Sequence, residues 1–142
     1  MKAVIFCNGG TKQGIASIAA SIFPKRFTNE ELTTITIIEI LAKEKTSNEA
    51  EYIAITKALK AALQQGIRVV KLKSSSLLVI NQIKRQDRCK ALNLQTYRRN
   101  VWRLLKNFDY YEIEWLPIEK NRELQESRQF AVEQALKQRN KP

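Results

Sequence analysis

The sequence predicts a single α/β domain whose elements follow the order β-β-β-α-β-α-α-β-α. Three observations lead to this fold class. The chain has 142 residues, which is the usual size of one domain. Its first part is rich in apolar and β-branched residues, which favour strands. Farther along, helix-capping signals and helical spacing of apolar residues alternate with short apolar runs.

Three strands are predicted in the first part of the chain. Residues 3–6 are apolar and are followed by Asn8-Gly9-Gly10, which is a turn signal. Residues 15–23 alternate loosely before Pro24, and residues 32–41 are rich in Thr and Ile. Because the connections between these segments are short, we expect an antiparallel meander.

A change of period then predicts a helix, a strand and a second helix. Thr46 followed by Glu49 forms a capping box, which is a signal for the start of a helix. Gly66 supplies a stop signal at the other end of this helix. Residues 67–72 are typical of a buried strand, and residues 77–83 follow serines that can cap a short helix.

The last part of the chain predicts two more helices around one strand. Residues 94–108 indicate an amphipathic helix whose apolar face consists of Tyr97, Val101, Leu104, Leu105 and Phe108. Residues 110–116 favour a strand that ends before a proline. Residues 121–139 predict a terminal helix, and we expect residues 138–142 to fray.

The charge balance favours a polyanionic partner. Lys and Arg total 25 against 14 Asp and Glu, which gives a formal net charge of +11. Such an excess suits DNA, RNA or an anionic membrane surface. No apolar run approaches the roughly 20 residues that a membrane-spanning helix requires, so nucleic acid is the favoured partner. The alternative is a basic solvated surface without a specific partner.

The N-terminus and the cysteines indicate a cytoplasmic protein. The apolar run that ends at Phe6 lacks the length and the cleavage site of a signal peptide. We therefore expect Cys7 and Cys89 to be free thiols. The chain contains no histidine, which excludes histidine general bases and catalytic triads, and two cysteines alone do not make a standard zinc site.

Four segments, in chain order, are similar to the motifs of one family. Asn8-Gly9-Gly10 matches Asp-Gly-Gly, and residues 46–52 match Thr-Asn-Asn-Glu-Ala-Glu-Tyr. Residues 75–82 are similar to Asp-Ser-x-Leu-Val-Val-Asn-Gln, and residues 116–123 to Val-Pro-Arg-Glu-Asn-Asn-Lys-Glu. The chain thus resembles the ribonuclease H-type (type 1) domain family over nearly its whole length. The resemblance implies one ribonuclease H-like domain over residues 1–142, with a five-stranded mixed sheet and helices on both faces.

The resemblance also implies where a catalytic site would lie. The family hydrolyses the RNA strand of an RNA-DNA hybrid with two divalent metals held by four carboxylates, whose positions fall on Asn8, Glu51, Ser75 and Gln125. Only Glu51 is a carboxylate, and a glutamate near a helix start is also favoured by the helix dipole. Two metals need several carboxylates to offset their charge. We therefore expect no intact catalytic site, no bound metal and no other cofactor.

Few other carboxylates are placed to compensate. The two aspartates, Asp87 and Asp109, lie far along the chain from the family positions. Glu126, one place after Gln125, is the nearest spare carboxylate. Mg²⁺ or Mn²⁺ is expected only if the chain is an active nuclease with a rearranged site.

A cluster of cations offers a second candidate surface. Arg99, Arg103 and Lys106 share one face of the helix over residues 94–108, opposite its apolar face. The full set of candidate nucleic-acid-binding residues is Lys84, Arg85, Arg88, Lys90, Arg98, Arg99, Arg103 and Lys106. The alternative interpretation is a solvated helix face.

Three functions remain open at this stage. The first is binding of RNA-DNA hybrid, RNA or DNA by a catalytically inactive relative of the nuclease. The second is an active RNA-DNA hybrid ribonuclease with a rearranged metal site. The third is a protein-interaction module that reuses the fold and contacts an acidic partner. Fold alone does not choose among them.

Overall fold

A computed structural model of the protein describes residues 1–85 and 88–139 and contains one five-stranded sheet. The strands are β1 (Lys2–Lys12), β2 (Ile15–Lys25), β3 (Ile35–Ile40), β4 (Val69–Ser74) and β5 (Tyr110–Trp115). The helices are α1 (Ser47–Gln64), α2 (Leu77–Ile83), α3 (Leu92–Leu105) and α4 (Arg122–Arg139), with a 3₁₀ turn at Ile118–Lys120 before α4. The predicted order of elements is confirmed.

The sheet is mixed, with strand order β3-β2-β1-β4-β5. Strands β1, β2 and β3 pair in antiparallel fashion, whereas β4 pairs in parallel with both β1 and β5. Strand β1 therefore lies at the centre, and its carboxyl half lies beside the end of β4, where Cys7 pairs with Ser74. The predicted five-stranded mixed sheet is confirmed.

Helices cover both faces of the sheet. Consecutive residues of a strand point to opposite faces. Gly9 lies against the backbone of Ala50 in α1, whereas the side chain of Asn8 is bonded to Arg128 of α4. The core lies mainly between the sheet and α1, where Ile5, Ile18, Ile55, Leu59 and Leu72 are fully buried.

The capping box at the start of α1 forms as predicted. The Thr46 hydroxyl accepts a hydrogen bond from the Glu49 backbone N–H, and the Glu49 carboxylate accepts one from the Thr46 N–H. This pair fixes where α1 begins and so places Glu51 in its first two turns. Gly66 follows the helix with φ of +81°, which is why a glycine occurs at this turn.

The turn predicted at Asn8-Gly9-Gly10 is wrong, because β1 continues to Lys12. The chain reverses instead at Gln13 and Gly14, whose φ values of 52° and 76° suit a two-residue hairpin loop. Gly9 has a packing role. A Cβ at this position would lie 2.4–2.5 Å from backbone atoms of Ala50 and Glu51, so the close approach of α1 to β1 requires a glycine.

Several predicted boundaries also shift. Pro24 lies within β2 and does not end it; β3 pairs only with residues 17–22 of β2, so Pro24 falls where the strand is an edge and a proline is tolerated. Phe108 lies beyond the end of α3 but is buried. Helix α4 extends to Arg139, so residues 138 and 139 of the segment expected to fray are helical. Residues 140–142 lie outside the described part of the chain.

Two smaller expectations can be compared with the fold. Cys7 and Cys89 are free and buried thiols. Among the described helices, none has both the length and the apolar character needed to cross a membrane.

Candidate functional site

One cavity of about 250 Å³ collects the residues at all four family-equivalent positions. It lies between the carboxyl halves of β1 and β4, the first turns of α1 and the middle of α4. Asn8, Glu51, Ser75 and Gln125 line it together. Most of its other polar lining consists of hydroxyl and amide side chains, namely those of Thr11, Ser47, Ser76 and Gln129. The cavity is therefore polar but poor in charge.

Glu51 is the only carboxylate that lines this cavity, and its oxygens are engaged within the protein. One carboxylate oxygen accepts a 2.7 Å hydrogen bond from the Gly9 N–H, and the other accepts the hydroxyl of Ser74 at 2.5 Å. The side chain is only 2% exposed. Burial raises the pKa of this carboxyl to about 7, although both hydrogen bonds and the positive charge of Arg128 oppose the shift.

Arg128 introduces a cation at the centre of the site. Its guanidinium donates from Nε to Asn8 Oδ1 at 2.6 Å and from Nη1 to Ser17 Oγ at 2.8 Å. The residue is only 3% exposed, and it lies one helical turn after Gln125, so both side chains share the face of α4 that meets the cavity. Gly10 leaves the space for it, because a Cβ there would lie 3.0 Å from Nη2.

Ser75, at the third family position, is held by Asn121 at the junction before α4. The Asn121 side-chain amide donates to the Ser75 hydroxyl oxygen at 3.1 Å and to the Cys7 carbonyl at 3.0 Å. Because the Ser75 oxygen accepts this bond, its own O–H remains available to donate into the cavity. Ser74, the last residue of β4, donates instead to Glu51.

These residues do not fit a pair of divalent metal ions. Mg²⁺ and Mn²⁺ prefer several carboxylate or water oxygens, and two ions close together need carboxylates to offset their charge. The described residues contain no group of three or more Asp, Glu or Cys that could hold a metal ion. The one carboxylate in the cavity is bonded to Gly9 and Ser74, and Arg128 already bonds to Asn8.

The spare carboxylates considered from the sequence do not join the site. Glu126 is exposed and is absent from the cavity lining, because its place on α4 turns it away from the sheet. Asp109 is exposed just before β5, at the opposite end of the parallel strands. Asp87 lies outside the described residues.

The predicted basic surface is partly assembled around Trp102. The guanidinium groups of Arg85 and Arg98 lie 4.5 Å and 4.6 Å from the centroid of its ring, within the range of cation–π contacts. Trp102 also donates its indole N–H to the Ile83 carbonyl at 2.9 Å, which ties α3 to the end of α2. Lys84, Arg85 and Lys106 line a neighbouring cavity of about 570 Å³.

The other predicted cations are exposed. Arg99 and Arg103 lie one turn apart on α3, and Arg88 and Lys90 lie in the segment before it. Arg98 is half-buried against Trp102, so it is less accessible than the exposed cations. No described contact connects this surface with the cavity around Glu51.

Sequence reasoning missed Arg128, which is the most prominent charged group of the cavity. Its partners Asn8 and Ser17 lie 120 and 111 residues away along the chain. The available signal was the spacing of three residues between Gln125 and Arg128, which puts both on one helix face. It also missed the exposed indole of Trp115, which is 47% exposed and donates its N–H to the Ser75 carbonyl at 3.2 Å.

The sheet order and the cavity at the end of its central strands define an α/β domain of the ribonuclease H type. A family model described as reverse transcriptase-like matches residues 7–127. The chain therefore belongs to this family of ribonuclease H-type domains. No curated protein sequence gave a significant match to the chain.

Solved structures share the fold at low sequence identity. Ribonuclease H1 of the halophilic archaeon Halobacterium salinarum NRC-1 superposes with a TM-score of 0.71 and 22% identity, over 86% of this chain and 90% of that one. The LC11 ribonuclease H1 from compost, solved in complex with an RNA/DNA hybrid, gives 0.76 and 22%, over 94% and 99%. The N-terminal ribonuclease H domain of rv2228c from Mycobacterium tuberculosis gives 0.68 and 21%, over 85% and 91%.

Proposed function

We propose that this protein binds the backbone of an RNA-DNA hybrid or duplex nucleic acid without cutting it. The observation that carries the proposal is the state of Glu51. It is the only carboxylate at the four family positions, and its two oxygens accept hydrogen bonds from Gly9 and Ser74. A cavity of this kind lacks the negative charge that a two-metal nuclease needs.

The loss of negative charge favours binding of a polyanion. A cluster of carboxylates repels phosphates unless metal ions are present, whereas this cavity contains one guanidinium beside one carboxylate. Neutral hydroxyl and amide groups that donate hydrogen bonds to phosphate oxygens complete the lining. The cavity therefore suits a phosphate backbone in the absence of metal.

The charge of the whole chain supports the same proposal. The net charge is +11, and the exposed cations Arg99, Arg103 and Lys106 lie together at the surface of α3. Cations that contact phosphates release counterions from the nucleic acid, so such binding weakens steeply with salt. The similar fold of LC11 ribonuclease H1, which was solved with an RNA/DNA hybrid, makes the hybrid the first ligand to test.

A binding panel tests this proposal. Fluorescence anisotropy would compare a labelled RNA-DNA hybrid, duplex RNA, duplex DNA and both single strands, each over a series of salt concentrations and without divalent metal. We expect the hybrid or a duplex to bind with an affinity that falls linearly with salt on logarithmic axes. Absence of salt-dependent binding to every one of these nucleic acids would contradict the proposal and favour an acidic protein partner.

A further inference from the structure

We propose that the cavity is a phosphodiester-binding site and that the Arg128 guanidinium is the group that binds the phosphate. This inference rests on the nucleic-acid-binding function proposed above and assigns one backbone contact to a defined residue. The ligand chemistry is an oxyanion of phosphorus, taken from a nucleic-acid backbone. Arg128 acts in place of the metal ions that a ribonuclease H-type site would otherwise use to attract that backbone.

Arg128 retains hydrogen-bonding capacity for an anion. A guanidinium has five N–H donors. Within the described part of the chain, Arg128 uses one of them on Asn8 Oδ1 and one on Ser17 Oγ. These two bonds fix the plane of the group while its remaining donors stay available. A planar guanidinium presents such donors in the geometry that phosphate oxygens accept.

The burial of Arg128 indicates a built site and not a surface cation. The residue is 3% exposed, yet it lines a cavity of about 250 Å³. An arginine is seldom buried to this extent unless it is paired. Glu51 lies near enough to interact electrostatically, but it is not among the hydrogen-bond partners of Arg128. The guanidinium thus lacks a direct carboxylate partner among the described residues, and an anion in the cavity would supply one.

Neutral donors around the cavity complete the anion site. The Ser75 hydroxyl accepts from Asn121, which leaves its O–H to donate. The hydroxyls of Thr11 and Ser47 lie 3.2 Å apart on the other side and share one hydrogen bond, so one of their two protons remains free. Gln125 contributes an amide. Hydroxyl and amide groups of this kind contact phosphate oxygens in nucleic-acid complexes.

Gly10 shapes the site around the guanidinium. A Cβ at this position would lie 3.0 Å from Nη2 and 3.3 Å from Cζ of Arg128. Replacing Gly10 with alanine therefore displaces the guanidinium by a few tenths of an ångström while it keeps the charge of the chain. This variant tests the position of Arg128 separately from its charge.

The first experiment observes Arg128 directly. Its Nε–H bonds to Asn8 inside the protein, so it should give a slowly exchanging signal in a ¹H–¹⁵N NMR spectrum. We expect this signal to shift on titration with dimethyl phosphate, a phosphodiester monoanion, and with a short RNA-DNA hybrid. A shift with inorganic phosphate alone would point to a free-phosphate site and would overturn the backbone assignment.

The second experiment measures affinity for the hybrid at fixed salt. We expect Arg128→Gln to weaken binding about tenfold or more, because a charge-assisted contact is lost. Gly10→Ala should weaken binding without any change in charge. The control is Lys60→Gln, which removes the same charge from an exposed position on α1 and should leave the affinity within about twofold.

The outcomes separate this inference from the function on which it rests. If Arg128→Gln disrupts folding, as judged by the dispersion of its NMR spectrum, Gly10→Ala and the dimethyl phosphate titration decide the question. Salt-dependent hybrid binding that is the same in wild type, Arg128→Gln and Gly10→Ala would overturn only the role of Arg128. Absence of hybrid binding in the wild type would overturn the proposed function as well.

Discussion

The Nε of Arg128 donates to Asn8 Oδ1 at 2.6 Å, which joins the middle of α4 to the central strand at the position where the family has its first catalytic aspartate. The contact closes the site in two ways. It occupies the oxygen of Asn8 that would face a metal, and it brings a positive charge to the point where a metal ion would otherwise lie. Loss of the carboxylates and gain of the guanidinium are therefore parts of one change.

Restoring the carboxylates alone should not restore a metal site. The triple variant Asn8→Asp, Ser75→Asp and Gln125→Asp would pair its new carboxylate at position 8 with Arg128. Adding Arg128→Ala removes that competitor, and we expect Mn²⁺ to bind at least about tenfold more tightly, as measured by isothermal titration calorimetry. The matched control adds Lys60→Ala to the same triple variant. Equal Mn²⁺ affinity of the triple variant and the Arg128→Ala combination would show that Arg128 does not block metal.

Glu51 should make the free energy of unfolding depend on pH. Its pKa is raised in the folded state from 4.5 to about 7, so the folded protein binds more protons than the unfolded chain between these values. The stability that this group contributes is thus present below pH 4.5 and is lost as the pH rises through 7. Above pH 7 the loss amounts to about 3 kcal/mol.

The isosteric variant Glu51→Gln isolates this effect. It lacks the titrating group but retains an oxygen for the Gly9 N–H. We expect it to exceed the wild type in stability at pH 8 and to approach the wild type at pH 5, as measured by chemical denaturation. The other carboxylates are common to both proteins, so they cancel in the comparison. Parallel stability profiles would show that Glu51 titrates with an ordinary pKa.

Gly9 should be among the least replaceable residues of β1. A Cβ would lie 2.4 Å from the Ala50 carbonyl carbon and 2.5 Å from the Glu51 nitrogen, and backbone atoms of a packed helix do not yield cheaply. We expect Gly9→Ala to lower the free energy of unfolding by about 3 kcal/mol or more. Gly14→Ala is the comparison, because Gly14 has φ of +76° but no neighbour within 4 Å, and it should cost about 1 kcal/mol. A smaller loss for Gly9→Ala than for Gly14→Ala would contradict the packing role.

The exposed face of α3 should contribute several phosphate contacts. Replacing Arg99, Arg103 and Lys106 with alanine should weaken hybrid binding and flatten its salt dependence by about three contacts. Folding should survive, because the three residues are exposed.

A second triple variant controls for net charge. Arg26, Lys60 and Lys137 are also exposed, and they lie in the loop after β2, on α1 and near the end of α4. Their replacement with alanine removes the same charge. Equal weakening by both triple variants would indicate that only net charge matters and that α3 is not a binding face.

The sequence predicted the fold better than the site. Local signals such as the Thr46–Glu49 capping box and the apolar spacing of α3 are complete within a few residues, so they can be recognised without tertiary structure. The motif matches also placed Asn8, Glu51, Ser75 and Gln125, and the structure brings these four residues around one cavity.

The parts that failed depend on long-range contacts. An arginine on a polar helix indicates a solvated side chain, and the contacts that bury Arg128 join residues more than a hundred positions apart. The same holds for Gly9, which resembles a turn residue in sequence but meets α1 in the folded protein. Neither environment has a local pattern that predicts it.

Cleavage of an RNA-DNA hybrid in the presence of divalent metal is the most direct test of the account. The measurement follows an end-labelled hybrid in a denaturing gel, with saturating pure protein and either Mg²⁺ or Mn²⁺, while anisotropy on the same sample confirms that the hybrid is bound. The account predicts a bound and intact hybrid. Metal-dependent cleavage that disappears in Glu51→Ala would contradict it and would show that a rearranged metal site is active.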